Sequence, residues 1–572
     1  MNQIDTDILI LGAGGAGLFA ALHAKKANPA LDVTIAVKGL LGKCGCTRMV
    51  QGGYNVALAK EDSIERHFMD TIEGGAWLND QDLAWLLVTT APIRIRELEN
   101  ELGCFFDRNP DGTVHQKAFA GQTFDRTVHK GDLTGIEIIN RLAEQVWRRD
   151  VRRLEDHRAI DFIPAADGSG LAGVYMLDMR GGEPLFVRAR ATLLATGGGP
   201  TMYKYHTPSG DKSCDGMAMA LRAGLPLRDI EMVQFHPTGL LAGEGTRMTG
   251  TVLEEGLRGA GGYLTDRTGE RFMFGYDPRG ERATRDIVSR AIQDRIRSGY
   301  ASPHGGVYIE MGHLGPANVR RDFKGMVERC ADCGFDLAGG RVEVIPTAHY
   351  MMGGVVFAPD CTTLMPRLFA AGEDTGGVHG ANRLGGNGVA NSTVFGGLAG
   401  ASMAAKTNRA AALPDPDPAA LERACARAFA PLGQKRGDLG AIREKLYDVM
   451  WNQVGILRTG GALARGAAAL DALARDVADS GVADTDRRYN LTWMDRLNLE
   501  NLILVSRAIC AAASARTDSR GAHFREDFPT MSDLAASRYT LTRMAGDSPS
   551  VDTAPVDFTR VRPGESLIEK AA

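Results

Sequence analysis

The stretch Asp7–Gly17, with the sequence DILILGAGGAG, decides the fold class of this 572-residue chain. Its apolar start is typical of a short buried strand, and a helical segment (18–27) and a second strand (33–37) follow it. The glycines of this G-x-G-x-x-G permit a tight turn and let a pyrophosphate reach the helix N-terminus. A turn that only packs a helix on a strand explains the last glycine but not all of them. The stretch therefore predicts a βαβ unit that binds a dinucleotide.

The end of the second strand bears on which dinucleotide is bound. It reads Ala36-Val37-Lys38-Gly39 and lacks the acidic residue that commonly holds an NAD ribose. The glycine motif alone does not distinguish NAD from FAD. The missing acid favours a flavin.

Strand-to-glycine junctions recur far along the chain. One lies at 191–199 (ATLLATGGG) and another at 368–374 (LFAAGED). Between them, from about 239 to 340, the sequence is richer in Arg, Asp and Glu, which indicates a separate lobe before the chain returns to the first domain. Apolar positions at helical spacing in 421–478 and 499–515 predict a mainly helical lobe near the C-terminus.

The charge balance argues against a nucleic-acid partner. The chain has 66 Lys and Arg against 70 Asp and Glu, spread without basic blocks, and a formal net charge of -4. The N-terminus carries acids where a signal peptide would be basic, and no run of about 18 apolar residues occurs. Nine irregularly spaced cysteines are typical of cytosolic thiols. We expect a cytoplasmic protein that meets a membrane only through partners.

The sequence does not indicate a metal or cluster site. The pair Cys330-x-x-Cys333 has no second CxxC or histidine pair beside it, so core or surface thiols are a better interpretation than structural zinc. A cysteine pattern typical of iron–sulfur clusters is also missing. We therefore predict no metal, and electrons on a bound flavin must pass to a partner, to oxygen or to a second small molecule.

Ordered sequence blocks carry a resemblance to a known family along nearly the whole chain. They are GAGGAG (12–17), QGG (51–53), HKGDLTG (129–135), QFHPTG (234–239), EEGLRGAGGYL (254–264), RDIVSRAI (285–292), PTAHYMMGGV (346–355), AGEDTGGVHGANRLGGN (371–387) and SRGAHFREDFP (519–529). In these blocks the chain resembles the flavoprotein subunits of succinate dehydrogenase and fumarate reductase, and the related L-aspartate oxidases.

The resemblance implies an α/β fold in which a Rossmann-like FAD-binding domain is interrupted by an α+β capping domain and followed by a helical C-terminal domain. The expected boundaries are 1–238 for the first part of the FAD-binding domain, 239–352 for the capping domain, 353–410 for the second part of the FAD-binding domain, 420–540 for the helical domain and 541–572 for a C-terminal tail.

The residues themselves point to similar chemistry. Interconverting a carbon–carbon single and double bond beside a carboxylate needs hydride exchange with a flavin at one carbon and proton exchange at its neighbour. Cationic groups must also hold the carboxylates. Any one of the candidates is more often a surface arginine or a core histidine, but together with the motifs they indicate a cleft for an anion. These candidates, all in glycine-flanked segments, are His236, Arg258, Arg285, His349 and Arg383.

The resemblance assigns roles to these positions. Arg285 matches a proton shuttle, which needs a relay because an arginine stays charged, and Glu255 and Arg258 match that relay. The positions that match substrate contacts are His236, His349, Arg383, Glu254 and Phe119, the last followed by Ala120-Gly121 where the family usually has two glycines. The positions that match FAD contacts are Gly12, Gly14, Gly15, Gly17, Lys38, Cys46, Thr47, Gly52, Gly53, Asp215, Glu373, Arg383 and Asn387.

Two positions depart from the family pattern. Cys46 stands where respiratory succinate dehydrogenases commonly carry the histidine that bonds FAD covalently, so we expect noncovalent FAD. A cysteinyl–flavin bond is the alternative, because a thiolate is a nucleophile. Glu254 replaces a threonine that meets a substrate carboxylate, and two facing carboxylates repel each other unless one is protonated or a cation intervenes. Either Glu254 turns away, or the substrate differs from succinate at that end.

The first interpretation is a flavoprotein that interconverts a small dicarboxylic acid and its unsaturated form. Oxidation of L-aspartate is the second, and a noncatalytic flavin-binding subunit is the alternative from another class, which the retained Arg285, Glu255 and Arg258 argue against. The dehydrogenase resemblance implies that the electron partner is an iron–sulfur subunit, and with it a place at the cytoplasmic face of the inner membrane. The aspartate oxidase resemblance implies oxygen instead.

Overall fold

A computed structural model describes residues 1–243, 246 and 248–568 of the chain. The strands in this part are β1 (Asn2–Leu11), β2 (Val33–Val37), β3 (Tyr54–Asn55), β4 (Gln116–Lys117), β5 (Thr127–Val128), β6 (Arg152–Glu155), β7 (His157–Pro164), β8 (Leu171–Asp178), β9 (Glu183–Leu194), β10 (Leu227–Arg228), β11 (Val233–Leu240), β12 (Tyr263–Thr265), β13 (Val307–Glu310), β14 (Arg341–Met351), β15 (Gly354–Val355), β16 (Leu368–Ala370), β17 (Arg538–Ala545) and β18 (Ser548–Pro555).

The α-helices in the same part are α1 (Gly15–Ala27), α2 (Ile64–Gly74), α3 (Gln81–Asn100), α4 (Thr134–Trp147), α5 (Asp215–Arg222), α6 (Gly256–Gly259), α7 (Arg285–Arg295), α8 (Pro316–Asp322), α9 (Lys324–Ala331), α10 (Asn387–Lys406), α11 (Pro418–Gly433), α12 (Leu439–Asn452), α13 (Gly460–Ala478) and α14 (Leu491–Ala515). Among the residues described, no helix is both long enough and apolar enough to cross a bilayer.

The largest sheet has the strand order β6-β2-β1-β9-β8-β7. Its central strand β1 runs parallel to β2, with Ile8 opposite Val33, and parallel to β9, with Ile8 opposite Ala191. The predicted βαβ unit is confirmed, and α1 begins at Gly15, inside the glycine turn. Strand β1 starts earlier than predicted, at Asn2, because its polar first half also pairs with β9.

Strand β9 joins the two parts of this domain. Its first half pairs antiparallel with β8, and its last residues pair parallel with β16, with Thr192 opposite Leu368. The chain thus returns to the sheet at the second strand-to-glycine junction, as the sequence predicts. Helix α10 follows and crosses α1 through glycine contacts, since a Cβ on Gly396 would lie 2.4 Å from the backbone oxygen of Ala16.

The segment between these two parts forms a cap with its own hydrophobic core. It contains the antiparallel sheet β11-β14-β13-β12 together with α7, α8 and α9. The predicted boundary between 238 and 239 falls inside β11, where Phe235 and His236 already pair with β14. Residues 244, 245 and 247 of the predicted capping domain lie outside the described residues. The α/β fold with an inserted α+β cap is confirmed.

Helices α11 to α14 form the predicted helical lobe, whereas residues 541–555 of the predicted C-terminal tail lie in a β-hairpin. Strands β17 and β18 form a hairpin that pairs with β10, with Leu227 opposite Thr542. The hairpin is rich in Ser, Thr, Arg and Asp, so it has little hydrophobic periodicity. Backbone pairing and buried polar contacts hold it, including a bond from the Thr540 hydroxyl to Glu231 (2.8 Å). Residues 569–572 of that predicted tail lie outside the described residues.

A buried ion cluster ties the loop before β5 to helix α2 and its preceding loop. The fully buried Arg126 donates from Nε to Asp62 (2.9 Å) and also contacts Asp70. Removing one partner of a buried ion pair costs about 3–5 kcal/mol, because the remaining charge stays buried without compensation. We therefore expect Arg126→Met to lower the thermal midpoint clearly in differential scanning calorimetry.

The matched control for this prediction is Arg148→Met. The Arg148 side chain is 66% exposed and pairs with Glu144 on the surface, where such pairs contribute about 0–1 kcal/mol. Equal midpoints for the two variants would contradict the stabilising role of the buried cluster.

Candidate active site

One elongated cavity of about 530 Å³ runs from the glycine turn after β1 to the first residue of α7 in the cap. Its walls come from the carboxyl end of the parallel strands on one side and from β11, β14 and α7 on the other. Open α/β sheets bind ligands at this edge. The cavity therefore joins the predicted dinucleotide site and the predicted anion site in a single space.

The glycine turn leaves room for a group that the protein does not supply. A Cβ on Gly12 would lie 2.1 Å from the Ala195 oxygen, and one on Gly17 would lie 2.0 Å from the Gly12 oxygen, so these two glycines are required by packing. Gly14 is different, because its nearest neighbour is Thr47 Oγ1 at 3.6 Å. The Gly15 N–H at the start of α1 donates to Thr47 Oγ1 (3.0 Å). The other N–H groups of the first turn have no intrahelical acceptor, so they can bind phosphate oxygens. These features fit the pyrophosphate of FAD.

Lys38 and Asp215, both predicted to contact FAD, form an ion pair of 2.8 Å at one end of the cavity. Arg158 also donates to Asp215, at 2.9 Å. Burial raises the pKa of Asp215, but the Arg158 and Lys38 cations outweigh it and hold that pKa well below its usual range. Asp215 is therefore a carboxylate, with its charge held in place beside the adenosine end of the expected cofactor.

Cys46 lies in the turn Cys46–Met49 and lines the same cavity, as do Gly52, Gly53 and Glu373. Burial, reinforced by the nearby Glu373, raises the pKa of the Cys46 thiol to about 12. Burial also raises the pKa of Glu373 to about 7, although its Oε1 accepts a bond from the Met351 N–H (3.0 Å). Cys46 is thus a protonated thiol at neutral pH.

Asn387 is the exception among the predicted FAD contacts. Its side chain is fully buried and faces the core, where it bonds to Asn55 (3.0 Å), His67 (3.0 Å) and Thr71 (3.2 Å). With these three partners it does not line the cavity. The Asn387 side chain instead holds the start of α10 against α2, and a contact of Asn387 with FAD stays a prediction.

Three predicted residues form a continuous chain of contacts at the cap side of the cavity. Arg285, the first residue of α7, donates from Nε to Glu255 Oε2 (3.1 Å), and Arg258 donates to Glu255 Oε1 (3.2 Å). The amide oxygen of Gln234 accepts from Arg285 Nη1 (3.1 Å) and fixes its guanidinium. Arg285 and Glu255 line the cavity and Arg258 lies behind them. The sequence analysis did not single out Gln234, although it lies in the QFHPTG block.

The predicted carboxylate-binding residues face the same space. The rings of His236 and His349 lie 5.4 Å apart. Burial, with Arg285 as the next cause, lowers the pKa of both histidines well below the usual value, so both rings are neutral. His236 Nδ1 accepts from the Thr238 N–H (3.3 Å), which leaves the ring proton on Nε2. Each neutral ring can therefore present one N–H donor to an anion.

Arg383 closes the site from the loop before α10. Burial, and then repulsion by Arg285, lowers the pKa of Arg383 to about 10, so it remains a cation at neutral pH. Its guanidinium lies 4.5 Å from the ring centre of Tyr350, and its Nε has no hydrogen-bond partner in the part of the chain that the structure describes. A buried cation that lines the cavity is suited to a substrate carboxylate.

Phe119 packs in a slot made by two glycines. A Cβ on Gly52 would lie 2.4 Å from Phe119 Cζ, and one on Gly385 would lie 2.6 Å from its Cδ2. The slot sets the ring beside Arg285 at the cavity wall. The departure from the family pattern at Ala120-Gly121 therefore leaves the aromatic ring at the site.

Glu254 lines the cavity and does not turn away from it. Its Oε1 pairs with Lys117 on β4, and the Lys117 ammonium also lies 5.8 Å from the Phe119 ring centre. Burial raises the pKa of Glu254, with Lys117 acting in the opposite direction. Of the two alternatives, the one in which Glu254 turns away is excluded, and Lys117 supplies a cation that offsets repulsion between Glu254 and a substrate carboxylate. Sequence analysis missed Lys117, because nothing in its surroundings marks it as a partner of a residue 137 positions away.

No group of three or more His, Cys, Asp or Glu side chains suited to holding a metal occurs among the residues described. Cys330 is buried in the cap core, and burial raises its pKa to about 12.

Comparisons with known proteins agree with this geometry. A profile described as FAD binding domain matches residues 7–389, and one described as fumarate reductase flavoprotein C-term matches residues 443–567. One subunit of the fumarate reductase (CoM/CoB) of Methanothermobacter marburgensis is 40% identical over 92% of this chain and 95% of its own length. The fumarate reductase flavoprotein subunit of Escherichia coli is 34% identical over 99% of this chain and 96% of its own.

Among solved structures, a mutant of E. coli quinol fumarate reductase superposes with a TM-score of 0.92 at 32% identity, covering 99% of both chains. Together with the cavity, the glycine turn and the cationic site, these matches show that the chain is an FAD-dependent oxidoreductase and belongs to the fumarate reductase and succinate dehydrogenase flavoprotein family.

Proposed function

We propose that the enzyme reduces fumarate or a closely similar unsaturated dicarboxylate, with noncovalent FAD and with Arg285 as the proton donor. The observation that carries this proposal is the unbroken contact from Arg285 through Glu255 to Arg258 at the wall of the FAD cavity. Flavin binding alone needs none of these three residues, so a noncatalytic flavin subunit would have no use for them.

The dicarboxylate is held by the cations and neutral rings around it. Arg383 would bind one carboxylate with the part of its guanidinium that lines the cavity, and His236 and His349 would donate to the other. Burial strengthens these charge-assisted bonds, because little water competes for the carboxylates. Phe119 limits the space beside Arg285 and keeps the double bond near the shuttle.

The proton reaches the substrate carbon from Arg285. Bound FAD supplies hydride transfer at the neighbouring carbon. As the new C–H bond forms, the Arg285 N–H bond breaks. Arg258 then gives a proton to the Glu255 carboxylate across 3.2 Å, and Glu255 passes it to Arg285 across their 3.1 Å contact, which restores the carboxylate. Burial lowers the pKa of Arg258, which favours proton release from a group that is otherwise permanently charged.

The preferred direction follows from Cys46. A protonated thiol is a poor nucleophile, and the raised pKa of Cys46 therefore supports noncovalent FAD. Losing a covalent link lowers the flavin potential, and a lower potential favours reduction of fumarate over oxidation of succinate.

The electron partner is proposed to be an iron–sulfur subunit. The fumarate reductase relatives are named as subunits of larger enzymes, and the described residues hold no cluster site of their own. Through that partner the enzyme would work at the cytoplasmic face of the inner membrane. Oxidation of L-aspartate is less well supported. Lys117 already pairs with the Glu254 carboxylate, which would otherwise be available to bind the ammonium group of aspartate.

The shuttle role of Arg285 is tested by Arg285→Ala. General acid catalysis contributes about 10²–10⁴-fold, so we expect fumarate reduction by a reduced viologen dye to fall by about that factor while FAD stays bound. The control is Arg290→Ala, on the same helix but bonded to Gly521 O (2.7 Å) outside the relay. Full activity of the Arg285 variant would contradict the assignment.

Noncovalent binding is tested by acid precipitation of the purified protein. Because the Cys46 thiol is protonated, we expect the yellow colour to be released into the supernatant. The Cys46→Ser variant should release its flavin to the same extent. Colour that stays in the wild-type pellet but leaves the Cys46→Ser pellet would show a cysteinyl bond instead.

The Lys117–Glu254 pair is tested from both sides. Glu254→Thr removes a negative charge and frees Lys117 for a dianion, so we expect KM for fumarate to fall several-fold. Lys117→Met leaves the Glu254 charge uncompensated, so KM should rise by a similar factor. If steady-state kinetics show no change in KM for either variant, the Lys117–Glu254 pair does not influence substrate binding electrostatically.

A further inference from the structure

Helix α14 of the helical lobe reaches the end of the cavity where Lys38 and Asp215 lie. Its residue Asn498 is buried, and the amide oxygen Oδ1 is an acceptor for three donors. These donors are Arg158 Nη1 (2.7 Å), Ser213 Oγ (3.0 Å) and Lys38 Nζ (3.3 Å). Three segments that surround the expected adenosine site therefore converge on one oxygen of the helical lobe.

The Asp215 carboxylate is contacted from the same helix. Its Oδ1 accepts from Asn501 Nδ2 (2.7 Å), Ser213 Oγ (2.8 Å) and Arg158 Nη2 (2.9 Å). Among the residues described, its Oδ2 accepts from Lys38 alone (2.8 Å). A carboxylate oxygen has about two lone-pair sites, so Oδ2 can accept one more bond. Because Asp215 lines the cavity, this acceptor is available to a hydroxyl or amino group of the adenosine of FAD.

Two cations share this one carboxylate. The Arg158 side chain is 1% exposed and that of Lys38 is 18% exposed, and both pair with Asp215. Burial lowers the pKa of Lys38 and of Arg158, and Asp215 opposes this effect at both. Since a buried donor without an acceptor is costly, the Asn498 oxygen holds the donors that Asp215 does not. Without that oxygen, both cations would compete for the remaining lone pair of Asp215.

We propose that Asn498 is a positioning residue for FAD, so that helix α14 completes the adenosine end of the cofactor site. By accepting from Lys38 and Arg158, Asn498 keeps both cations in place and leaves Asp215 Oδ2 open to the adenosine. Asn501 fixes the other oxygen of the same carboxylate. This inference goes beyond the proposed function, because it concerns the cofactor and holds for any substrate.

The test is the affinity of Asn498→Ala for FAD, measured in a Cys46→Ser background so that the flavin can dissociate whether or not Cys46 bonds it. We expect the Kd for FAD to rise about tenfold, because the variant loses hydrogen bonds to charged donors. Dilution of the holoprotein, followed by the fluorescence of released flavin, gives the Kd. Asn501→Ala removes the other contact between α14 and Asp215, so it should raise the Kd as well.

Two controls in the same background separate positioning from a structural role. Asn498→Asp keeps an acceptor oxygen at the same place, and its charge pairs with the cation that Asp215 leaves over, so the Kd should stay within about twofold of the parent. Arg507→Met breaks an ion pair of α14 with Asp471 (2.7 Å) away from the cavity. It should lower the thermal midpoint equally with and without excess FAD and leave the Kd unchanged.

For Asn498→Ala we expect the fall in thermal midpoint to be larger with excess FAD than without it, because a ligand stabilises the folded state less as its Kd rises. An equal fall under both conditions with an unchanged Kd would show a structural role and overturn the proposal. Binding of FAD by Asn498→Asp that is as weak as by Asn498→Ala would overturn it too. In either case the proposed reduction of a dicarboxylate would survive.

Discussion

The proposed reaction needs a buried guanidinium that loses and regains a proton, and the arrangement of the rest of the structure depends on this constraint. Arg285 can act only if Glu255 lies against it and Arg258 stands behind. These residues lie on the cap, whereas Arg383 comes from the chain after it has returned to the large sheet. The site therefore exists only where the cap closes over the carboxyl edge of the parallel strands, and the insertion between the two parts of the FAD-binding domain makes that closure.

The balance of charge at the site fits the dicarboxylate that we propose as its substrate. Three buried arginines, Arg258, Arg285 and Arg383, face one buried glutamate, Glu255, and both nearby histidines are held neutral. The Lys117–Glu254 pair adds no net charge. Two positive charges are thus left without a partner in the described site, which matches the two carboxylates of a dicarboxylate substrate. Burying a cation away from water costs free energy unless an anion pairs with it.

How far the sequence predicts this arrangement depends on the range of the interaction. The glycine turn and the strands beside it can be predicted from the local sequence pattern, because an apolar strand that runs into three spaced glycines is compatible with few other local structures. The relay follows from family resemblance, and its contacts agree with it.

Lys117 and Gln234 were missed because their partners lie far away in sequence. The inward-facing side chain of Asn387 could not be predicted, because a polar residue beside a glycine run suits a ligand and a core hydrogen-bond network equally well. The hairpin at 538–555 was missed because backbone pairing and buried polar groups hold it without an apolar pattern.

The most direct test of this mechanism is anaerobic stopped-flow mixing of the photoreduced holoprotein with fumarate, followed at the flavin absorbance. We expect rapid return of the oxidised flavin spectrum with fumarate and little or none with crotonate, which has the same double bond but only one carboxylate to meet the two unpaired cations. A flavin that stays reduced with fumarate, or that is reoxidised equally fast by crotonate, would contradict the mechanism.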